Sequence, residues 1–224
     1  MTFTCNFCKK EFAKETSIAV HMCEPKRRRM EKDERGVQLG FQAYIKFYET
    51  MQGSARLKTF EDFAESAYYK AFVKFGRYCL VIRAINPARF MDWLLKNNKK
   101  LDRWCSDQLY TEYLIQHLLV EAVDDAIKRA IEYSVSWEET TGHPAKDVLR
   151  YGNANALCHA ITSGRISPWV IYNCESGIGF LSQLSTEQVA IIWDYINSDA
   201  WHKKFNNYPA DQEWVKDILT TAGW

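Results

Sequence analysis

The chain has 224 residues, 47% of them hydrophobic and 25% charged, which suits one or two domains with a real core at the usual ~100–200 residues per domain. Ten Gly and five Pro are too few for a collagen-like or wholly disordered chain. The net charge of +1 hides a division: residues 1–103 carry 21 Lys+Arg against 12 Asp+Glu, whereas residues 104–224 carry 8 against 16. The basic half suits a polyanion and the acidic half does not, unless the division is an accident of surface charge. No run of 18 apolar residues predicts a membrane span, and the start, Met1 to Cys5, lacks the basic-then-apolar pattern of a secretory leader. Seven Cys is an odd number for a disulfide framework, so the expected compartment is a reducing cytoplasm.

Cys5 and Cys8 bracket a two-residue knuckle, and His21 and Cys23 follow after twelve further residues. Two Cys at this spacing give two thiolates to one tetrahedral Zn²⁺. Phe12 and Ile18 make a core too small to stand without the metal's folding energy. The other reading is a Cys-bearing hairpin beside a surface His. The Cys pair, Phe12, Ile18 and His21 resemble the register of a Cys-Cys-His-His zinc finger, which implies a small ββα unit with His21 on a helix from about Lys14. The family expects its fourth ligand three to five residues after His21. Here the candidate is Cys23, two residues on, and the helix would have to loosen near Met22, because i and i+2 diverge on a helix. The resemblance also places Lys14, Ser17 and Val20 at base-reading positions. A single finger covers only about three base pairs, and fingers of this kind also bind proteins.

Behind the finger, Pro25 precedes Lys26, Arg27, Arg28 and Arg29, with Lys32 and Arg35 beyond. Such a run can neutralise several phosphates in a salt-dependent, sequence-indifferent way. Glu31, Asp33 and Glu34 dilute it, and the alternative is a solvated helix face. Apolar and aromatic residues from Val37 to Met51 recur at spacings of three and four, predicting a docked helix ending at Gly53-Ser54. The basic arm could run into this helix, although Gly36 and Gly40 weaken the join.

Thr59 and Asp62 predict a capped helix start. From Tyr68 to Ile85, Tyr68, Phe72, Phe75, Cys79 and Ile82 fall on one side, and Lys70, Lys74 and Arg77 form a row opposite. That row extends a phosphate-binding surface or is an ordinary wet face. Phe72, Phe75 and Trp93 read as core, whereas Tyr69 and Tyr78 are the better candidates for stacking on bases. Asn86-Pro87 starts another helix. Asp107 to Tyr133 reads as one long helix, Val148 to Ile161 as a shorter one, Ser167-Pro168 as a start, and Ser185 to Gln188 as a capping box. Trp193, Trp201 and Trp214 recur along the acidic stretch. The fold expected is an all-α body preceded by a small ββα zinc finger: a finger over residues 1–24, a basic arm and linking helix over 25–55, and a helical domain over 56–224.

Nothing in the sequence assembles a catalytic constellation. Gly177-Ile-Gly179 lacks the rest of a dinucleotide fingerprint, and Cys158-His159 diverge on a helix. His117, His143 and His202 have no metal-ligand spacing, and Asp124-Asp125 is a lone acidic pair. Lys26 to Arg29 with Arg35-Gly36, and Arg150 to Asn153 with Ile166 to Trp169, resemble an uncharacterised family of T-even-like cyanophages. Tyr44, Met51 to Gly53, Lys58 to Phe60, Ile161, Ile166, Ser167 and Ser176 are more weakly similar to the phage helicase-loading family. That resemblance implies a role in phage DNA replication or recombination in the host cytoplasm, with single-stranded or forked DNA, a single-strand-binding protein and a helicase as partners. The expected function is therefore a non-catalytic accessory protein that contacts nucleic acid, DNA rather than RNA, through a zinc finger and basic arm. Its acidic half would receive a protein, and no membrane is involved. The alternative is an adaptor or transcription regulator whose finger docks on protein; heparin or DNA retention at low salt separates the two.

Overall fold

In the computed structural model residues 2–53 and 57–224 are described; Ser54, the expected end of the docked helix, lies outside them. The chain divides into two compact units, Met1–Leu109 and Tyr110–Trp224. No helix among the described residues is long and apolar enough to cross a membrane.

The first unit opens with strands β1 (Phe3–Thr4) and β2 (Glu11–Phe12), antiparallel with Phe3 opposite Phe12. These are the only strands among the described residues. Helix α1 spans Glu15–Ala19 and α2 spans Glu24–Met30, with Pro25 in the first turn of α2, where its missing N–H leaves no bond unmade. Helices α3 (Arg35–Gln52), α4 (Phe60–Glu65), α5 (Tyr69–Val81) and α6 (Pro87–Lys96) follow. The basic arm is not continuous with α3, because Glu34 is extended at the α3 N-cap.

Gly36 and Gly40, one helical turn apart, lie where α3 crosses α5. A Cβ on Gly76 of α5 would stand 2.0 Å from the Gly36 carbonyl oxygen, and one on Gly40 would stand 2.7 Å from that of Phe72. The three glycines therefore let the two backbones touch, a role the spacing pattern did not suggest. Around this crossing Tyr44, Phe63, Phe72, Phe75 and Trp104 are buried. Their rings meet edge-on or tilted at 5.1–6.0 Å between centroids, as Phe75 to Trp104 and Phe72 to Trp104 do, an arrangement that adds to simple area burial. The Trp104 indole N–H donates to the Lys99 carbonyl at 2.9 Å. Half-buried Trp93 sits at the margin of this core, under the Lys99 ammonium.

The apolar face of α5 is the expected one at Phe72, Phe75 and Cys79, which are buried, and differs at its start. Tyr68 sits at the N-cap, outside the helical period, and is exposed, whereas Tyr69 is buried with Phe72, Gly76 and Cys79. Thr59 caps α4 in a box with Asp62, and the Asn86 side chain caps α6 by accepting from the Arg89 N–H, both as expected.

The second unit is helical throughout its described residues. The expected helix from Asp107 to Tyr133 is two: α7 (Asp107–Leu118) and α8 (Val123–Thr141). The break falls around Glu121 without a glycine or proline. Its carboxylate is buried, 2.5 Å from Arg129 Nη2, and accepts from the Ser167 hydroxyl at 3.1 Å. Arg129 also donates to the Gly164 carbonyl. Burial pushes the Glu121 carboxyl above the ordinary range against the pull of Arg129, so the pair acts as a fixed internal tie. The helix expected from Val148 to Ile161 is likewise split into α9 (Val148–Tyr151) and α10 (Ala154–Thr162) by extended Gly152.

Helices α11 (Pro168–Ile171), α12 (Glu175–Ser182), α13 (Thr186–Ile196), α14 (Ser198–Asn207) and α15 (Pro209–Ala222) complete the unit. Ser167 and Ser185 cap α11 and α13 as expected. Trp201 is fully buried against Trp169, while Trp193 and Trp214 face solvent. Substituting Gly76→Ala should lower unfolding free energy by about 3 kcal/mol, since neither backbone can yield. Denaturant titration checks this; a loss below about 1 kcal/mol would mean that the helices can part.

Candidate functional site

The N-terminal site is built by the hairpin and by the failure of α1 to continue. The turn between β1 and β2 is held by Lys9 N–H to the Cys5 carbonyl and Cys5 N–H to the Lys10 carbonyl, both 2.9 Å. Lys9 takes the left-handed conformation that tightens the knuckle. Helix α1 ends at Ala19, so His21 is not on it, contrary to expectation. Cys23 is extended, with φ −92° and ψ 161°. In extended chain, residues i and i+2 point to the same side. His21 and Cys23 therefore converge without any loosening of a helix at Met22, and the unusual spacing needs no further device.

The result is a four-donor cluster. Sγ of Cys5, Cys8 and Cys23 and a ring nitrogen of His21 all lie within 4.8 Å of one another. Cys5 and Cys23 Sγ are 3.9 Å apart, and Cys8 Sγ is 3.2 Å from His21 Nε2. Donors bound to one tetrahedral zinc at ~2.1–2.3 Å stand ~3.4–3.8 Å from each other, so the cluster can hold a metal ion and its donor set is compatible with zinc. The backbone N–H groups of Cys8 and then Phe7 bring the Cys5 thiol down to about 7. At Cys8 the Lys10 N–H pulls the thiol down, but desolvation and the two neighbouring thiols outweigh it and the net shift is upward. Two such sulfurs without a cation repel once ionised, which a divalent metal relieves. The Phe12 ring, half-buried, packs on His21 at 4.7 Å and fixes the imidazole.

Cys23 is also the N-cap of α2, so the metal cluster and the basic helix share a residue. The α2 helix is docked rather than free. Arg28 donates to the Ala64 carbonyl at 2.8 Å, pairs with Glu24 at 2.6 Å, and lies over the buried Tyr69 ring at 4.6 Å. Arg29 pairs with Glu65 at 2.8 Å and covers Phe7 of the knuckle. Lys26 Nζ donates to the His21 carbonyl, and Lys32 lies over Phe60. Of the four consecutive cations Arg27 alone is exposed, at 57% of its side chain, with a loose 3.9 Å approach to Glu31.

Docking brings α2 beside the cationic row of α5. Arg27, Arg28, Lys70, Lys74 and Arg77 line one groove of about 480 Å³ together with Glu24 and Glu31. Lys70 approaches Glu24 at 3.3 Å. Arg77 forms a two-pronged pair with Glu34 at 2.6 and 2.8 Å, which holds the Glu34 carboxyl below its usual range. Lys74 is exposed and makes no ion pair among the described residues. The two basic segments that the sequence separates by about forty residues are thus neighbours. Lys14, Ser17 and Val20 all lie exposed along α1, and Arg35 is exposed at the start of α3. Of the expected stacking residues, Tyr69 is buried under Arg28 and is not available, while Tyr78 is half-buried with its hydroxyl donating to Asp107 at 2.9 Å. Burial raises both phenols.

No protein-family model, curated protein or solved structure matches this chain. The finger resemblance accordingly stands on the four donors, Phe12 and Ile18, and the two phage resemblances on their quoted residues alone.

The geometry brings Cys23 close enough to the other three donors to serve as a fourth ligand. Co²⁺ added to the metal-free chain should bind one per chain and give the visible bands of a tetrahedral thiolate site. Cys23→Ser should weaken that binding at least ~100-fold, the cost of losing a soft donor. An unchanged spectrum and affinity in Cys23→Ser would leave three protein ligands and remove Cys23 from the site.

Proposed function

We propose that this chain is a nucleic-acid-binding accessory protein, in which a zinc-stabilised finger anchors a docked basic helix that forms one wall of a phosphate-binding groove. The observation that carries the reading is the meeting of α2 with the Lys70, Lys74 and Arg77 row of α5 in a single groove. Zinc suits three thiolates and one imidazole in a tetrahedron, and it would set the start of α2 through Cys23. DNA is the polyanion favoured here, and the groove's cations would track its backbone without reading sequence. Exposed Lys14, the N-cap of α1, and Ser17 within it add contacts at the finger's end of the same unit. The acidic second unit, with 8 Lys+Arg against 15 Asp+Glu over residues 110–224, repels nucleic acid and suits a basic protein partner. The weak resemblance to helicase loaders makes replication the process in which such a pairing would operate.

A second reading draws on the commitments of Lys26, Arg28 and Arg29 to protein atoms. In that reading the basic run is structural and the finger is a protein-docking adaptor. The two separate by salt dependence. Arg27→Ala with Lys74→Ala removes two exposed cations that make no short ion pair. On the nucleic-acid reading the double variant keeps its thermal stability and binds DNA more weakly. The slope of log affinity against log salt falls by ~1.4 on single strands or ~1.8 on duplex. An unchanged slope, or no DNA binding by the parent chain at 50 mM salt, contradicts the reading and leaves the adaptor.

A further inference from the structure

A second cleft in the first unit, of about 730 Å³, lies between α3, the end of α5 and the start of α6. Its size is that of a small-ligand site. Arg35 and Arg83 line it as guanidiniums, Gln38 and Gln42 as amides, and Leu39 and Leu80 as apolar surface. Asp33 is the one acidic side chain of the lining. Gln38 gives its Nε2 to the Lys32 carbonyl, so its amide is held in place with the oxygen left to accept. Neither Arg35 nor Arg83 forms an ion pair among the described residues, and both are exposed.

Arg83 is also in an unusual position. Helix α5 closes with the Ala84 N–H on the Cys79 carbonyl at 2.8 Å and the Arg83 N–H on that of Leu80 at 3.2 Å. This closure puts its left-handed residue at Arg83, with φ 51°. Glycine or asparagine ordinarily fills that place, because a side chain there strains the backbone. Among the described residues three other helix ends close with the same six-residue bond, and their left-handed residues are Asn98, Gly164 and Gly223. A long cation held at a glycine position, against local preference and facing a cleft, marks a site where stability has yielded to function.

The cleft adjoins the groove described above. Arg77 lines the groove and is clamped by Glu34, the residue immediately before Arg35. A strand lying along Lys70 and Lys74 therefore reaches the cleft just past that clamp. We propose that the cleft receives one unpaired nucleotide of a bound strand, with Arg35 and Arg83 on its phosphate, the two glutamines on the polar edge of its base, and Leu39 and Leu80 against its face. A base enters such a cleft only when it is free of its complement, so the site selects single-stranded nucleic acid. This proposal rests on the nucleic-acid reading above and names the strand state that the reading leaves open.

Arg83→Gly tests it cleanly, because glycine removes the guanidinium and relieves the strained backbone together. The variant is expected to melt at or above the parent temperature and to bind a ten-residue oligothymidylate severalfold more weakly, with its salt slope reduced by ~0.7. Binding to a duplex of the same length should be unchanged. Arg35→Ala should behave likewise. Equal losses on single strand and duplex would make Arg83 an undiscriminating surface cation and overturn the proposal, as would unchanged oligothymidylate binding. Thymidine monophosphate bound as tightly as the oligomer would overturn it too, assigning the cleft to a free nucleotide. In each of these cases the groove reading survives if Arg27→Ala with Lys74→Ala still weakens binding. If the parent chain binds no oligonucleotide, both fail together.

Discussion

The docking of Arg28 underlies the arrangement of the basic half. Its guanidinium is enclosed between α2, α4 and α5, meeting the Ala64 carbonyl, the Glu24 carboxylate and the face of Tyr69. Its two Nη groups find acceptors, whereas its Nε is buried without a partner, and the paired Nη donors hold the side chain in place. By holding α2 against α5 it sets Arg27 opposite Lys70 and Lys74. It also withdraws itself from any ligand, as Arg29 and Lys26 do in part. The structure thus converts a stretch of four cations into one exposed guanidinium and three fastenings, and supplies the missing charge from another helix.

The metal cluster sets the other end of the same helix. Cys23 ends the finger and begins α2, and the Lys26 ammonium reaches back to the His21 carbonyl. A small finger has little core of its own, here Phe12 and Ile18, so its order depends on its ligands. That order passes to α2 through a single shared residue. The two acids in the groove, Glu24 and Glu31, temper its positive charge. On the proposed nucleic-acid reading they would keep contact weak and salt-sensitive, of the kind that positions a backbone without reading bases.

Much of this was legible before the fold was known. The four Cys and His positions that come together, the hairpin, the helix starts at Thr59, Asn86, Ser167 and Ser185, and the helical character of the body follow from spacing and local chemistry, because each is decided within a few residues. Features set by tertiary contact were not legible. The break between α7 and α8 coincides with buried Glu121, which meets Arg129 and Ser167, partners that no local rule links to it. Tyr69 reads as a surface ring from periodicity, yet it lies one turn before Phe72 and packs against Phe63 and under Arg28, contacts that other helices supply. Gly36 and Gly40 read as weak points and are the contact surface with Gly76. The role of Arg83 had a faint signal at most, since a cation at a helix end is ordinary and only the backbone closure shows it standing where glycine belongs.

The central claim is that the groove between α2 and α5 receives the sugar–phosphate chain. Backbone amide shifts of the zinc-loaded protein, followed by nuclear magnetic resonance as a short oligonucleotide is added at low salt, test it most directly. The account predicts that the shifts gather on Arg27, Lys70, Val73 and Lys74, with those of the acidic second unit unmoved. Shifts confined to the second unit, or spread evenly over the surface, would contradict it.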